Sequence, residues 1–379
     1  MRVEIKPTLL RWACERAGFN TQIVARRLPQ LPSWEDGTSK PTLKQIEKFA
    51  NIVHVPVGFL FLPEPPAEHL PIPDFRTIGN ERIGRPSPDL LETIYICQQR
   101  QEWYQHFSRT IGETPCPFVG AASIGDSIED TAAKIRQTLQ FDVDTRRQMP
   151  TWEEALRQFI AQADNAGVLV MVSGVVGSNT RRKLDHEEFR GFALSDEIAP
   201  LVFINGADTK SAQMFTLAHE LAHIWLGKTG LSDISPGSFP AGAIEQWCNR
   251  VAAETLVPAE YLKKQYHPNE EMSRQIARLA RHFKVSTLVI IRRIHDLGYL
   301  TYEEFTAEYH AELERLLAIM KGRGGNFYLT QGARISKRFA RALIISTLEG
   351  QTLHRDAFQL LGFTKFPTFR EFGNRLGVM

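Results

Sequence analysis

The sequence predicts an α+β fold that is mostly helical, with a small mixed sheet in a central domain flanked by helical N- and C-terminal regions. Three observations predict it. Apolar residues recur at helical spacing over most of the chain. A β-branched apolar run, "GVLVMVSGVVG", and two further strand-like runs, "FRGFALSD" and "APLVFING", cluster between residues 167 and 206. A proline-rich stretch, "LPEPPAEHLPIPDF" at 62–75, sets a helical N-terminal segment apart from the rest.

In chain order, "TLLRWACERAG" and "TLKQIEKFANIV" carry apolar residues on one helical face, with Thr42 as N-cap of the second and Pro41 disfavouring helix before it. These helices define a first module over 1–62, and the proline-rich linker runs over 63–85. Helices over 86–113, 126–140 and 152–166 lead into the three strands. A long helix, "DTKSAQMFTLAHELAHIWLG", follows the third strand, with Asp208 or Thr209 as cap and Gly227 at its end. A second helix over about 241–256, ended by Pro258, completes a domain over 86–258. A helix pair, "SRQIARLARHFKVSTLVIIRRIHDLGYL", belongs to a segment over 259–321, and a basic helical extension occupies 322–379.

The chain has 379 residues, 43% apolar and 23% charged, with a net charge of +2, which excludes disordered and fibrous classes and favours no partner by itself. The four cysteines, Cys14, Cys97, Cys116 and Cys248, lack metal-type spacing and read as reduced thiols. The N-terminus is charged throughout, and no run approaches the roughly 18 apolar residues of a membrane span. The expected location is the cytoplasm, with no membrane partner.

The stretch "FTLAHELAHIWLG" at 215–227 concentrates the chemistry. Four residues apart on a helix, His219 and His223 share a face and can offer imidazole nitrogens to one ion. Zinc takes such nitrogens at about 2.0 to 2.1 Å, and a catalytic zinc wants three protein ligands and an open position. Glu220, beside the first histidine, is placed to take a proton from the attacking water and deliver it to a leaving amine. In "GAIEQWCNRVAAETLVP" the third ligand is Glu245 or Glu254. Glu245 is favoured, because Asn249 one turn on can hydrogen-bond the free ring nitrogen of a liganding histidine. Tyr261, His186 and Arg190 are candidates for steadying the oxyanion, with no choice among them. The strand "APLVFIN" is a candidate edge to which an extended substrate could add.

Together, "FRGFALSDEIAPLVFINGADTKSAQMFTLAHELAHIWLG" and "EQWCNRVAAETLVP" resemble the ImmA/IrrE family of prokaryotic and phage metallopeptidases, over about residues 165–300. The resemblance implies a zincin-like domain, one zinc ion on His219, His223 and Glu245, and Glu220 as base. It also implies a protein substrate that is a DNA-binding repressor or similar regulator, and an antitoxin is a further candidate. Cys248 stands where the family often has Ala.

The first module resembles the helix-turn-helix units of the XRE repressor class, but in a degenerate form. Only "PQLPS" separates Leu28 from Trp34, which leaves little length for a recognition helix. Basic excess is modest over 1–62 (+4) and larger over Met272–Leu300 (+5) and Lys321–Met379 (+7). Arg292 and Arg293 in the helix pair, and Arg338 and Arg341 in the tail, are therefore candidates for contact with DNA or a partner. The function expected is a zinc endopeptidase that cuts a regulatory protein in a stress, mobile-element or toxin-antitoxin setting. The alternative is a DNA-binding regulator or toxin-antitoxin component whose metal site is structural or sensory.

Overall fold

A computed structural model describes residues 2–78, 81–82, 86–232, 242–320 and 334–379. The chain divides into two compact units, Met1–Pro71 with Ile83–Ile94, and Ile72–Arg82 with Tyr95–Met379. The first break falls within the proline-rich stretch, where fixed backbone angles and missing amide donors disfavour both helix and sheet.

The N-terminal unit contains α1 (Pro7–Arg16), α2 (Thr21–Ala25), α3 (Leu31–Glu35) and α4 (Leu43–Val53). Its core is built from Leu10, Ala13, Leu31, Trp34, Ile46 and Phe49. Thr42 caps α4 as expected, and Gln45 returns a bond to make a capping box. Asn20 caps α2 by accepting from the Gln22 amide at 3.0 Å. Between α2 and α4 stands only the five-residue α3, with a proline at its start. That is less than two turns, short of the two or three turns a major-groove reading helix needs. Arg16 forks onto Glu68 and also donates to the His54 carbonyl at 2.9 Å, tying the start of the proline-rich stretch to this unit.

The larger unit is α+β. A short antiparallel pair, β1 (Thr77–Ile78) and β2 (Glu81–Arg82), precedes a four-stranded sheet. The sheet consists of β3 (Leu169–Ser173), β4 (Gly191–Leu194), β5 (Leu201–Asn205) and β6 (Gly230–Leu231), in the order β3-β5-β4-β6. β3 runs parallel to β5, whereas β4 is antiparallel to both β5 and β6, so the sheet is mixed as expected. Every residue of these four strands is buried, which explains their unbroken apolar runs. One expectation is overturned. "APLVFIN" is not an edge, because β5 is paired on both sides, and strand order is a tertiary property that the run itself does not encode.

This unit also holds α5 (Pro88–Thr110) from Tyr95 onward, α6 (Ile128–Thr138), α7 (Val143–Arg147), α8 (Trp152–Asn165), α9 (Lys210–Trp225) and α10 (Ala243–Leu256). They are followed by α11 (Ala259–Gln265), α12 (Met272–Phe283), α13 (Thr287–Asp296) and α14 (Tyr302–Met320). One apolar core joins the sheet to α6–α10 and continues through Leu262, Ile276, Phe283, Ile290 and Phe305 of the later helices. The last three helices are α15 (Lys337–Leu348), α16 (His354–Leu361) and α17 (Phe366–Leu376). The expectation of helix from Gly324 to Ala333 lies outside the described residues. Ser336 caps α15, donates to Asp164 of α8, and leaves the Arg338 amide to reach the same carboxylate at 2.8 Å. No helix among the described residues is long and apolar enough to cross a membrane.

Candidate metal centre

α9 is apolar on nearly all sides, and Met214, Leu217, Ala218, Leu221, Ala222, Ile224 and Trp225 are all buried. Such a helix belongs inside a domain rather than on its surface. Thr209 caps its start by accepting from the Ala212 amide at 3.2 Å, and Gly227 follows its end in the left-handed region (φ 64°). At that glycine a Cβ would come within 3.1 Å of the Gly120 backbone, so the turn leaving the helix is also a close approach. α10 packs alongside α9 through small side chains, among them Cys248 and Ala252 facing the common core. Helix propensity therefore sets the 219/223 and 245/249 spacings, and close packing brings the two pairs together.

His219, His223 and Glu245 form a buried group whose ligand atoms all lie within 4.8 Å of one another. Glu245 sits 3.2 Å from His219 Nε2 and 2.9 Å from His223 Nε2. The two Nε2 atoms are 3.1 Å apart. His219 Nδ1 lies 3.0 Å from Asn249 Oδ1, which can only accept, so Nδ1 carries the proton and Nε2 presents its lone pair to the cluster. Two imidazole nitrogens and a carboxylate converging in a buried space is a poor arrangement for the groups alone and a good one around a divalent cation. The nitrogen and oxygen donors suit zinc. The residues present thus fit the ion that the sequence implies.

Burial pushes His223 below the ordinary imidazole range, outweighing the attraction of Glu245 and favouring the neutral form a ligand needs. Burial works against ionised Glu245, but the two histidines overcome it and hold the carboxyl at about 2. Glu220 is wholly buried, and its carboxyl is raised well above the usual range by desolvation and then by the charge of Glu245, with the Ser232 bond opposing. A nearby cation would pull it back down, toward the range in which a carboxylate exchanges protons. Ser232 Oγ donates to Glu220 Oε2 at 3.0 Å. On its other flank Glu220 meets Gly191, where any Cβ would lie 2.9 Å from Oε1 and 2.7 Å from a Thr216 methyl. β4 therefore passes directly behind the base because residue 191 has no side chain.

The structure separates the remaining candidates. Glu254 is no ligand: it is buried, pairs with Arg293 and accepts from the Ala259 amide at 3.2 Å. Arg293 correspondingly is not a nucleic-acid contact, because it is 7% exposed and its Nε donates to the Val257 carbonyl at 2.8 Å. Arg136 and Arg146 donate to the Glu254 and Leu256 carbonyls, so three guanidinium groups gather at the carbonyl end of α10. Arg338 is partly exposed and donates to Glu113 at 2.8 Å and to the Tyr104 hydroxyl at 2.6 Å. Arg292 lies over the Phe215 ring, and Arg341 is exposed while donating to the Leu376 carbonyl at 3.1 Å. Of the three oxyanion candidates, His186 pairs with Glu187, Arg190 with Asp208 at 2.7 Å, and exposed Tyr261 lies beside Lys264. None of these contacts is with the ligand cluster.

Sequence reasoning missed Ser232, Gly191 and Phe75, the last of which stacks on His223 with ring centroids 5.7 Å apart and planes 6° from parallel. Gly191 left a signal, since a glycine inside an apolar strand marks a close approach. Ser232 and Phe75 left none, being brought in by the chain path. The four cysteines are free, and Cys248, next to the site, has its thiol raised well above the usual range by burial and by the charges of Glu245 and Glu220. Its side chain packs in the apolar core and is not in the group of converging ligand atoms.

Comparison with known proteins gives two matches, both to family models. No curated protein and no solved structure matches the chain. Residues 335–375, covering α15–α17, match a family model described as a domain of unknown function. Residues 163–295, which run from the end of α8 through α13 and hold His219, Glu220, His223, Glu245 and Asn249, match the peptidase family model described as the IrrE N-terminal-like domain, and so support a metallopeptidase of the ImmA/IrrE type in this part of the chain.

Proposed function

We propose that the protein is a zinc-dependent endopeptidase that cleaves a regulatory protein, a DNA-binding repressor or an antitoxin, in the cytoplasm and thereby switches gene expression. The observation that carries this reading is Glu220. A structural or sensory site needs His219, His223 and Glu245, but it has no use for a carboxylate beside them, kept in register by a serine hydroxyl and by the close approach of β4 at Gly191.

His219, His223 and Glu245 would hold the ion, which when bound supplies Lewis-acid polarisation of the scissile carbonyl and a more acidic water. Asn249 keeps His219 in the tautomer that presents Nε2. Glu220 takes the proton of the attacking water at a carboxylate oxygen and passes it to the amide nitrogen as that bond breaks. Ser232, bonded to Oε2, orients the carboxylate and leaves Oε1 without a hydrogen bond among the described residues. Desolvation by the surrounding apolar core strengthens each of these electrostatic interactions.

The test is co-expression with the regulator encoded beside the gene, comparing the wild type with Glu220→Gln. Cleavage of that regulator by the wild type and its stable capture, uncut, by the variant support the reading. Full biological activity of the variant, together with loss of activity on removal of residues 1–62, would transfer the function to DNA binding.

A further inference from the structure

Every side chain of the candidate site is closed off: His219, Glu220 and His223 have no exposed surface, and Glu245 has 2%. These four side chains offer a peptide almost no surface. What lies over His223 is the chain's own segment Ile72–Arg76. The Leu231 amide donates to the Pro73 carbonyl and the Phe75 amide donates to the Leu231 carbonyl, each at 2.9 Å, so the segment adds to the free edge of β6 in the parallel sense. Phe75 lies flat on the His223 ring and fills the space at Gly230, where any Cβ would collide with the aromatic ring. The segment is also braced from both ends. Ile72 is buried, and Arg76, 4% exposed, is held by Asp74 and by the Glu188 carbonyl at 2.9 Å.

We propose that the edge of β6, with the slot between Gly230 and His223, is the subsite for an extended peptide bearing an aromatic side chain, and that Pro73–Phe75 is a resident pseudo-substrate in it. This rests on the peptidase reading above. Backbone pairing to a sheet edge gives sequence-tolerant binding, and a ring-sized slot beside a metal ligand adds a preference. The strap presents both features to the edge it covers. The protein shown is thus the latent form, and a substrate competes with the strap for one edge, so apparent activity is lowered by the fraction of molecules with the strap in place.

Two variants of the full-length zinc-loaded protein test this: Asp74→Cys with Leu231→Cys, which joins bridge partners by a disulfide, and Phe75→Ala, which empties the slot. Each is assayed with a quenched fluorescent peptide carrying one Phe, with its Ala counterpart, and by the rate at which a chelator extracts zinc. The oxidised crosslinked form should cleave slowly and release zinc slowly, and a phosphine reductant should restore both. Phe75→Ala should raise both rates roughly tenfold or more, with the Phe peptide cut faster than the Ala peptide. Equal rates in the oxidised and reduced crosslinked forms, or a Phe75→Ala protein that behaves as wild type, overturn the inference. If chelator access changes as expected but no form cleaves either peptide, the strap stands and the peptidase reading falls. If no form binds zinc, both fall.

Discussion

Glu220 and Asn249 do separable work, and single substitutions distinguish them. Glu220→Gln preserves the shape of the side chain and all three ligands, so it should keep zinc while slowing cleavage by about 10²- to 10⁴-fold, the contribution of a positioned proton-transfer group. Asn249→Ala removes the acceptor that holds His219 in its tautomer, and it should weaken zinc binding by about 10- to 100-fold, read by competition with a chelating dye. At this scale much of the site was legible in the sequence. The 219/223 and 245/249 spacings are local helix geometry, and the histidine-carboxylate chemistry follows from residue type. Ser232, 12 residues from Glu220 in sequence, was not legible, because a hydroxyl in a loop has no signature until the chain returns it to the base. Arg293 misled for the opposite reason: two adjacent arginines look solvated, and only the buried partner Glu254 shows that one of them is internal.

Among elements, α10 matters most, since it carries Glu245 at one end and collects Arg136, Arg146 and Arg293 at the other. Arg293→Ala would leave Glu254 buried without its cation. It should lower stability by about 3–5 kcal/mol in urea titration while leaving nucleic-acid affinity unchanged. The docking of α15 onto α8 makes a pH-dependent counterpart. Burial raises the Asp164 carboxyl above its usual range, against the opposing bonds from Ser336 and Arg338. A raised folded value means that folding favours the protonated form. The cost of the ionised group is therefore absent below the unfolded value, about 3.9, and grows as pH rises through the folded value. Compared with Asp164→Asn, the wild type should gain relative stability as the pH falls from neutrality toward 4, and a pH-independent difference in urea midpoint would refute this. The existence of these helices was readable from periodicity and caps, as at Thr42 and Thr209. Which of them touch was not, because α8 and α15 lie 172 residues apart at their contact.

For the whole molecule, metal and fold are linked, since a ligand that binds only the folded chain stabilises it. Zinc at about 100 times its dissociation constant adds about 2.7 kcal/mol, and chelation should lower the melting temperature accordingly. The α+β class and the mixed sheet were foreseeable from three apolar runs among helices. The order of the strands was not, and it is the order that removes β5 from the edge and leaves β6 to pair with Pro73–Phe75. The most direct test of the account is zinc content per chain, measured by atomic emission on the wild type, Glu220→Gln and Glu245→Ala purified in parallel. About one ion is expected in the first two, with loss from the third. Equal zinc in all three, or a folded wild type that takes up none, contradicts the metal centre on which the function rests.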